Sequence, residues 1–347
     1  MTDFPHMPIM PSDAEFKHVI SQIVSDMHDP RQSAAHSDFG VIDVEQGITR
    51  DGFNTFDRAG GCSMMAVDGG SASVLDAGSF VVAAVRVGSA LYADRQYVPG
   101  TEQEMHLLHL SASELASAYS IFFGKTVGGE PPDVPRGLDE ALGRIRTLLE
   151  WKHLEDILRD DIPSGTVLAF DGALWAGIKG IGDMLARIVD SARKKRIILC
   201  GISKKSMLTH LSRPLIPAVQ MAGDAQFPNS MWFYRVDAPG YSEKLYGEVY
   251  VARFHPRSGY AFRVDLALPP GIEPTDAMAR IAYHANDPTY AGYPYPLARA
   301  HNDVAFSRSE VEGLRSKLRD EALGSGMDPA EWQLTFQNFH DVLDMNR

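Results

Sequence analysis

The sequence predicts an α/β protein built on a mixed sheet flanked by helices. Two observations carry this. Three β-like runs follow one another closely at 63–68, 79–87 and 90–98, and their short connections allow antiparallel neighbours. Further on, an apolar run at 166–171, a helical pattern at 179–192 and a second apolar run at 196–202 form a β-α-β unit. Both runs are apolar without interruption, the pattern of parallel strands covered on both faces.

Taken in order, residues 12–27 read as a helix with Phe16, Val19, Ile20, Ile23 and Val24 on one face. Residues 28–60 are polar and rich in Gly and Asp, which predicts loops with a short strand near Val41. The three β-like runs follow, then a helix at 112–123. The break GGEPPDVPRG at 128–137 must be loop. A long helix over 138–159 carries Ala141, Leu142, Ile145, Leu148, Leu149 and Leu158 as its apolar stripe. After the β-α-β unit, runs at 246–255 and 260–268 form a hairpin turning at PRSG, 256–259. Two helices close the chain at 309–323 and 328–344, the second with Asp328 as N-cap and Pro329 at its first position. The expected organisation is a helix-and-loop extension over 1–60, a main domain over 61–305, and C-terminal helices over 306–347 packed on that domain.

Composition narrows the class. The 347 residues are 44% hydrophobic, enough for a sizeable core, and no run of about 18 apolar residues spans a membrane. The start, MTDFPHMPIMPSDAEF, lacks the basic and apolar regions of a signal peptide. The two cysteines, Cys62 and Cys200, form no zinc or redox pattern, so a reduced, cytoplasmic protein is expected. A net charge of −12 is unlike that of a typical nucleic-acid binder, yet cations cluster at Arg193–Arg196, at Lys204 and Lys205, and at Arg213. The first cluster also reads as a helix C-terminus whose cations complement the dipole.

The order β-β-β, helix, β, helix, β is that of the ribonuclease H-like fold. Two acids then stand out, Asp68 in AVDGGS and Asp171 in LAFDGAL. Asp-Gly is a turn signal, because both residues tolerate positive φ. In a ribonuclease H-like count, however, these acids fall on the first and fourth strands, where such folds hold carboxylates. Two divalent metals about 3.5–4 Å apart can activate water and stabilise the leaving oxygen of a phosphodiester. Mg²⁺ and Mn²⁺ need oxygen ligands, and strands hold them more rigidly than loops do. Lys204, just past the last parallel strand, is well placed to meet a phosphate.

Residues 292–305 read GYPYPLARAHNDVA. With AVDGGS, LAFDGAL and GISKKS (201–206), in this order, the chain resembles the NurA family of nucleases from Met64 to Val304. The resemblance implies a metal-dependent DNA nuclease favouring Mn²⁺, with Mg²⁺ as the alternative. It implies 5′-to-3′ exonuclease and single-strand endonuclease activity, and a homodimer that processes DNA ends with a HerA-type hexameric ATPase. By the same resemblance Asp68 and Asp171 are metal ligands, His301 completes the metal site and Tyr293 lies near the scissile phosphate. Glu150 fits the family's Arg-x-x-x-Glu turn and is preferred as the helical ligand over Glu155, five residues on. An imidazole among carboxylates suits Mn²⁺ better than Mg²⁺.

Each residue also has a plainer reading. Glu150 can be a solvated helix carboxylate, His301 a capping histidine and Lys204 a loop cation. Tyr293 and Tyr295, bracketing Pro294 and Pro296, can simply pack an extended segment. Two rival functions stand beside the nuclease. One is a non-catalytic DNA clamp or adaptor for the translocase. The other is an actin-like or sugar-kinase-type ATPase, which needs a duplicated domain of which no second copy is apparent. The apolar face of the 12–27 helix and the PHMPIMP segment at 5–11 are candidate docking surfaces for a partner.

Overall fold

The computed structural model describes residues 12–28, 42–44, 47–101, 103–211, 213–237 and 245–336. Its first elements are α1 (Asp13–His28), β1 (Ile42–Asp43), β2 (Phe53–Phe56), β3 (Ser63–Asp76), β4 (Phe80–Ala93), β5 (Gln96–Val98) and β6 (Gln103–Ser111). There follow α2 (Leu115–Thr126), α3 (Leu138–Ile157), β7 (Val167–Phe170), α4 (Gly182–Lys194) and β8 (Ile198–Ser203). The remaining strands are β9 (Leu208–His210), β10 (Arg213–Pro214), β11 (Met231–Val236), β12 (Glu248–Arg253) and β13 (Phe262–Ala267). The remaining helices are α5 (Leu215–Gln226), α6 (Pro274–Tyr283), α7 (Tyr295–Val304), α8 (Arg308–Gly324) and α9 (Pro329–Phe336).

One ten-stranded sheet organises the molecule. Its middle runs β6, β4, β3, β7, β8, with β3 antiparallel to β4 and parallel to β7, and β7 parallel to β8. Numbered among themselves, these five strands lie in the order 3-2-1-4-5 of the ribonuclease H-like fold. The sheet continues antiparallel through β13, β12, β11 and β2. Strand β2, on the N-terminal side of residue 60, is thus hydrogen-bonded into the main sheet. β7 (VLAF) and β8 (ILCGIS) are buried at every position, as central parallel strands must be.

Helices cover both faces. On one, α3 and α4 lay Ile145, Leu148, Leu154, Leu185 and Ile188 over Val67, Leu168 and Phe170. On the other, α6 and α7 lay Met278, Ile281, Leu297 and Ala300 over Met64, Ala66, Ala169 and Cys200. The alternation along β3 is that of any pleated strand: 64 and 66 face one layer, 67 the other. α8, through Leu314 and Leu318, and α9, through Trp332 and Phe336, close the far half of β3 and β4. The Asp328 side chain accepts from the N–H groups of Ala330 and Glu331, the capping role its sequence predicts. The part of that predicted helix beyond residue 336 lies outside the described residues, as does Val41 beside β1. No described helix is long and apolar enough to cross a membrane.

The first half of the sheet differs from the sequence expectation. Runs 79–87 and 90–98 are not two strands: 80–93 is one, and the third antiparallel strand is 103–111. Gly88, which reads as a break, is a paired residue opposite Asp68. Nor does Asp68-Gly69 turn the chain, since β3 runs on through it to Asp76. These glycines serve packing. A Cβ on Gly70 would lie 2.1 Å from the Val304 carbonyl oxygen at the end of α7, and one on Gly69 would lie 2.5 Å from Glu150 Oε1 on α3.

Gly70→Ala therefore forces α7 away from β3 and should destabilise the fold by about 1–3 kcal/mol. Gly143→Ala, inside α3 with open space at its Cβ, should stabilise by about 0.5–1 kcal/mol. Urea unfolding midpoints check the pair; equal shifts for the two would remove the packing role of Gly70.

Candidate functional site

Parallel pairing aligns Val67 with Phe170, and the Asp171 N–H donates to the Val67 carbonyl at 3.2 Å. The next residues along the two strands, Asp68 and Asp171, are thereby neighbours. β7 ends there while β3 continues, which opens a cleft beside β3. His301, on α7, bonds through Nδ1 to Asp68 Oδ2 at 2.8 Å. One ligand atom each from Asp68, Asp171 and His301 lies within 4.8 Å of the others. Two hard oxygen donors and one imidazole make a donor set that fits Mn²⁺ or Mg²⁺.

Glu150 reaches the same cleft from the opposite face of the sheet. Its neighbour Trp151 stacks on Phe170 with ring centroids 4.3 Å apart, which fixes α3 against the end of β7. The carboxylate lies over Gly69, next to Asp68, though outside the group of three converging ligands. Glu155 points elsewhere: its carboxylate pairs with Lys152, Arg159 and Arg187. Five residues along a helix is about 500°, so the two carboxylates face some 140° apart.

Lys204 Nζ donates to Asp171 Oδ2 at 2.7 Å, and the Tyr293 hydroxyl donates to the same oxygen at 3.2 Å. The lysine ammonium also lies over the Tyr293 ring, 5.1 Å from its centroid. A cavity of about 410 Å³ is lined by Asp68, Glu150, Asp171, Arg146, Lys204 and His301. All six sequence-predicted site residues are thus brought together: five line this cavity, and Tyr293 holds Asp171 from behind it. Tyr293 does not sit in an extended segment; Pro294 and Pro296 open α7 as N-cap and first-turn residues, where a missing N–H costs nothing. The Arg193–Arg196 cluster is the end of α4 and does not enter the site.

The sequence reading missed a supporting pair. Asp265, fully buried, accepts from Arg263 Nε at 2.7 Å, from Arg263 Nη2 at 2.9 Å and from the Leu174 N–H at 2.8 Å. Arg263 Nη1 also reaches Ser206 Oγ at 3.4 Å. One buried ion pair thereby ties down the loop after Asp171 and the loop after Lys204. Burial raises the Asp265 carboxyl pKa, and Arg263 works against that rise. Arg and Asp two residues apart on a strand share one face, the only sequence signal that marks them.

Crowded acids in a buried cleft hold protons. Burial pushes the Glu150 carboxyl up to about 8, with Arg146 opposing and Asp68 and Asp171 adding to the rise. Asp68 is also raised, chiefly by burial and then by Asp171, against the pull of the His301 and Gly69 hydrogen bonds. Burial, with Asp171 beside it, raises Tyr293 and keeps it a phenol.

A folded-state pKa above the unfolded value contributes stability that is complete below the unfolded pKa and is lost as pH rises through the folded one. In chelator, stability should therefore fall between about pH 4.5 and about pH 8. Glu150→Gln should flatten that fall and Glu155→Gln should leave it intact. Thermal melts across the range check this; an unchanged profile in Glu150→Gln would show that its carboxyl ionises freely.

No protein-family model matches the chain, and no curated protein matches it. Solved structures do. The NurA nuclease from Sulfolobus solfataricus aligns over 91% of this chain and 97% of its own, with a TM-score of 0.51 and 16% identity. A further NurA structure covers 90% of this chain and all of its own, with a TM-score of 0.55 and 10% identity. NurA bound to dAMP and manganese covers 92% and 98%, with a TM-score of 0.53 and 10% identity. Over about nine-tenths of its length this chain has the fold of the NurA nucleases.

Proposed function

We propose that the protein is a divalent-metal-dependent DNA nuclease, acting as a 5′-to-3′ exonuclease and single-strand endonuclease in DNA end processing. The observation that carries this reading is the convergence of Asp68, Asp171 and His301 within 4.8 Å of one another. It occurs in a fold shared with nucleases, one of them solved with dAMP and manganese. A non-catalytic clamp has no use for three carboxylates and an imidazole gathered in one cleft.

Bound divalent cations supply the activated water and the charge that stabilises the leaving oxygen. The protein supplies the rest. Asp68, Asp171 and His301 would hold the cation, and Glu150 in its ionised form would add a fourth ligand. Mn²⁺ is the preferred ion because the set contains an imidazole. Tyr293 and Lys204 fix the orientation of Asp171. Lys204, 47% exposed, also offers its ammonium to an incoming phosphate.

Asp68→Asn and Asp171→Asn keep the shape of each side chain and remove the charge. Each should lower Mn²⁺-dependent cleavage of end-labelled DNA by at least 100-fold, with melting temperatures near wild type. His301→Ala should also lose most activity, and excess Mn²⁺ should restore only part of it. Cleavage within twofold of wild type in either Asn variant would sink the metal-nuclease reading.

The working form we infer is a homodimer fed by a HerA-type hexameric ATPase. Phe16, Val19, Ile20, Ile23 and Val24 on α1 are each about half exposed, an apolar face left uncovered among the described residues. In the inferred dimer a second copy would cover this face. The PHMPIMP segment before it lies outside the described residues. At −12 the chain repels a polyanion at long range, so a motor that feeds the strand would replace affinity with enforced proximity. Light scattering should give twice the monomer mass, and Ile20→Asp should halve it. The cognate ATPase with ATP should accelerate duplex degradation. A monomeric wild type that binds DNA tightly at physiological salt, indifferent to the ATPase, would contradict this.

A further inference from the structure

A second cavity, of about 380 Å³, opens beside the metal site and shares Lys204, Tyr293 and His301 with its surroundings. Tyr260, Phe262 and Tyr290 line it as well, beside Ala261, Ala298 and Asn302, and the Phe262 and Tyr293 ring centroids lie 5.4 Å apart. Tyr260 is 72% exposed and Tyr290 52% exposed. Neither ring packs on another aromatic ring among the described residues.

These two tyrosines sit on separate loops that pack closely against each other at Ser258 and Gly292. The Tyr260 N–H donates to Ser258 Oγ at 3.1 Å, and that hydroxyl donates back to the Tyr260 carbonyl at 2.8 Å. Gly292, at φ +95°, lies so close that a Cβ there would sit 2.5 Å from the same Ser258 oxygen. The Tyr293 N–H closes the second loop onto the Tyr290 carbonyl at 2.8 Å. Two exposed aromatic rings are thus held on a fixed frame at the edge of a catalytic cleft.

The geometry points to a nucleobase subsite. It rests on the nuclease reading above and adds what the substrate must look like. With a phosphodiester at Asp68, Asp171 and His301, the base of an adjoining nucleotide enters among Tyr260, Tyr290 and Phe262. Its size falls in the roughly 300–1,000 Å³ range of ligand pockets. Stacking on aromatic faces accepts all four bases alike. A base inside a duplex has both faces covered, so this cavity takes only a single-stranded or opened nucleotide. Strand separation at the end being trimmed is therefore a condition of productive binding, which a blunt duplex meets only by fraying or by the action of a motor.

The test separates base from backbone. Fluorescein-labelled dT12 and an abasic 12-mer of the same phosphate number are titrated by anisotropy, in chelator, into the full-length protein. Wild type should bind dT12 about tenfold more tightly, in line with stacking contributions measured by alanine substitution. The Tyr260→Ala, Tyr290→Ala double variant should bind both strands equally, at the wild-type abasic affinity. Tyr260→Phe with Tyr290→Phe should keep the tenfold preference, because the rings remain. Equal binding of the two strands by wild type, or a preference that survives loss of both rings, overturns the subsite. Cleavage of dT12 with Mn²⁺ is scored separately. Cleavage without a base preference leaves the nuclease standing and removes the subsite; a base preference without cleavage supports the subsite and removes the nuclease.

Discussion

Everything at the site depends on two adjacent glycines in the middle of a fully paired strand. Gly69 and Gly70 follow Asp68 on β3 and face opposite sides of the sheet. On one side the missing Cβ admits the Glu150 carboxylate, and on the other it admits the end of α7. Helices packed on a sheet ordinarily stand off by the depth of their side chains. Here both come down to the backbone, and so Glu150 and His301 reach Asp68 from two layers that otherwise do not meet. Glycine weakens a strand by roughly 0.5–1 kcal/mol. That cost is met where β3 is held between β4 and β7 and covered by helices.

The electrostatics follow from that closeness. Three carboxylates and one imidazole share a cleft, so burial and crowding push the Glu150 carboxyl up to about 8 and raise Asp68 in the same direction. Around it the protein places fixed cations rather than more acids: Lys204 on Asp171, Arg146 near Glu150 at 3.4 Å, and Arg263 on the buried Asp265. The last pair does not touch the cleft. Breaking one partner of such a buried pair leaves an uncompensated charge, and the same pair holds one loop at Leu174 and the other at Ser206.

Legibility in the sequence tracked how one-sided each environment is. β7, β8, α3 and α4 were readable because continuous apolar runs and helical stripes report burial directly. β6 was not, since QEMHLLHLS lies at an edge with mostly exposed side chains and shows no clean alternation. α5, α6 and α7 each begin with a proline in or near the first turn, and proline reads as a break unless the helix start is already known. Asp68 and Asp171 were legible as acids on apolar strands, although the Asp-Gly pairs suggested tips where β3 in fact runs on. His301 and Tyr293 were visible only through the motif around them. Helical geometry could show that Glu150 and Glu155 diverge, but only the Trp151–Phe170 stack says which of them meets the cleft. Arg263 and Asp265 alternate within the 260–268 run, and nothing in the sequence marks both as buried.

The chain separation across the Asp68–His301 hydrogen bond is 233 residues. Synthesis proceeds from the N-terminus at about 5–20 residues per second, so the acids emerge long before the imidazole that joins them. Until α7 has left the ribosome and settled onto the glycines of β3, a nascent chain holds carboxylates without the nitrogen ligand. Prematurely terminated products ending before residue 301 lack it permanently. The order of elements along the gene thus delays completion of the Asp68–Asp171–His301 cluster until nearly the whole fold exists to contain it.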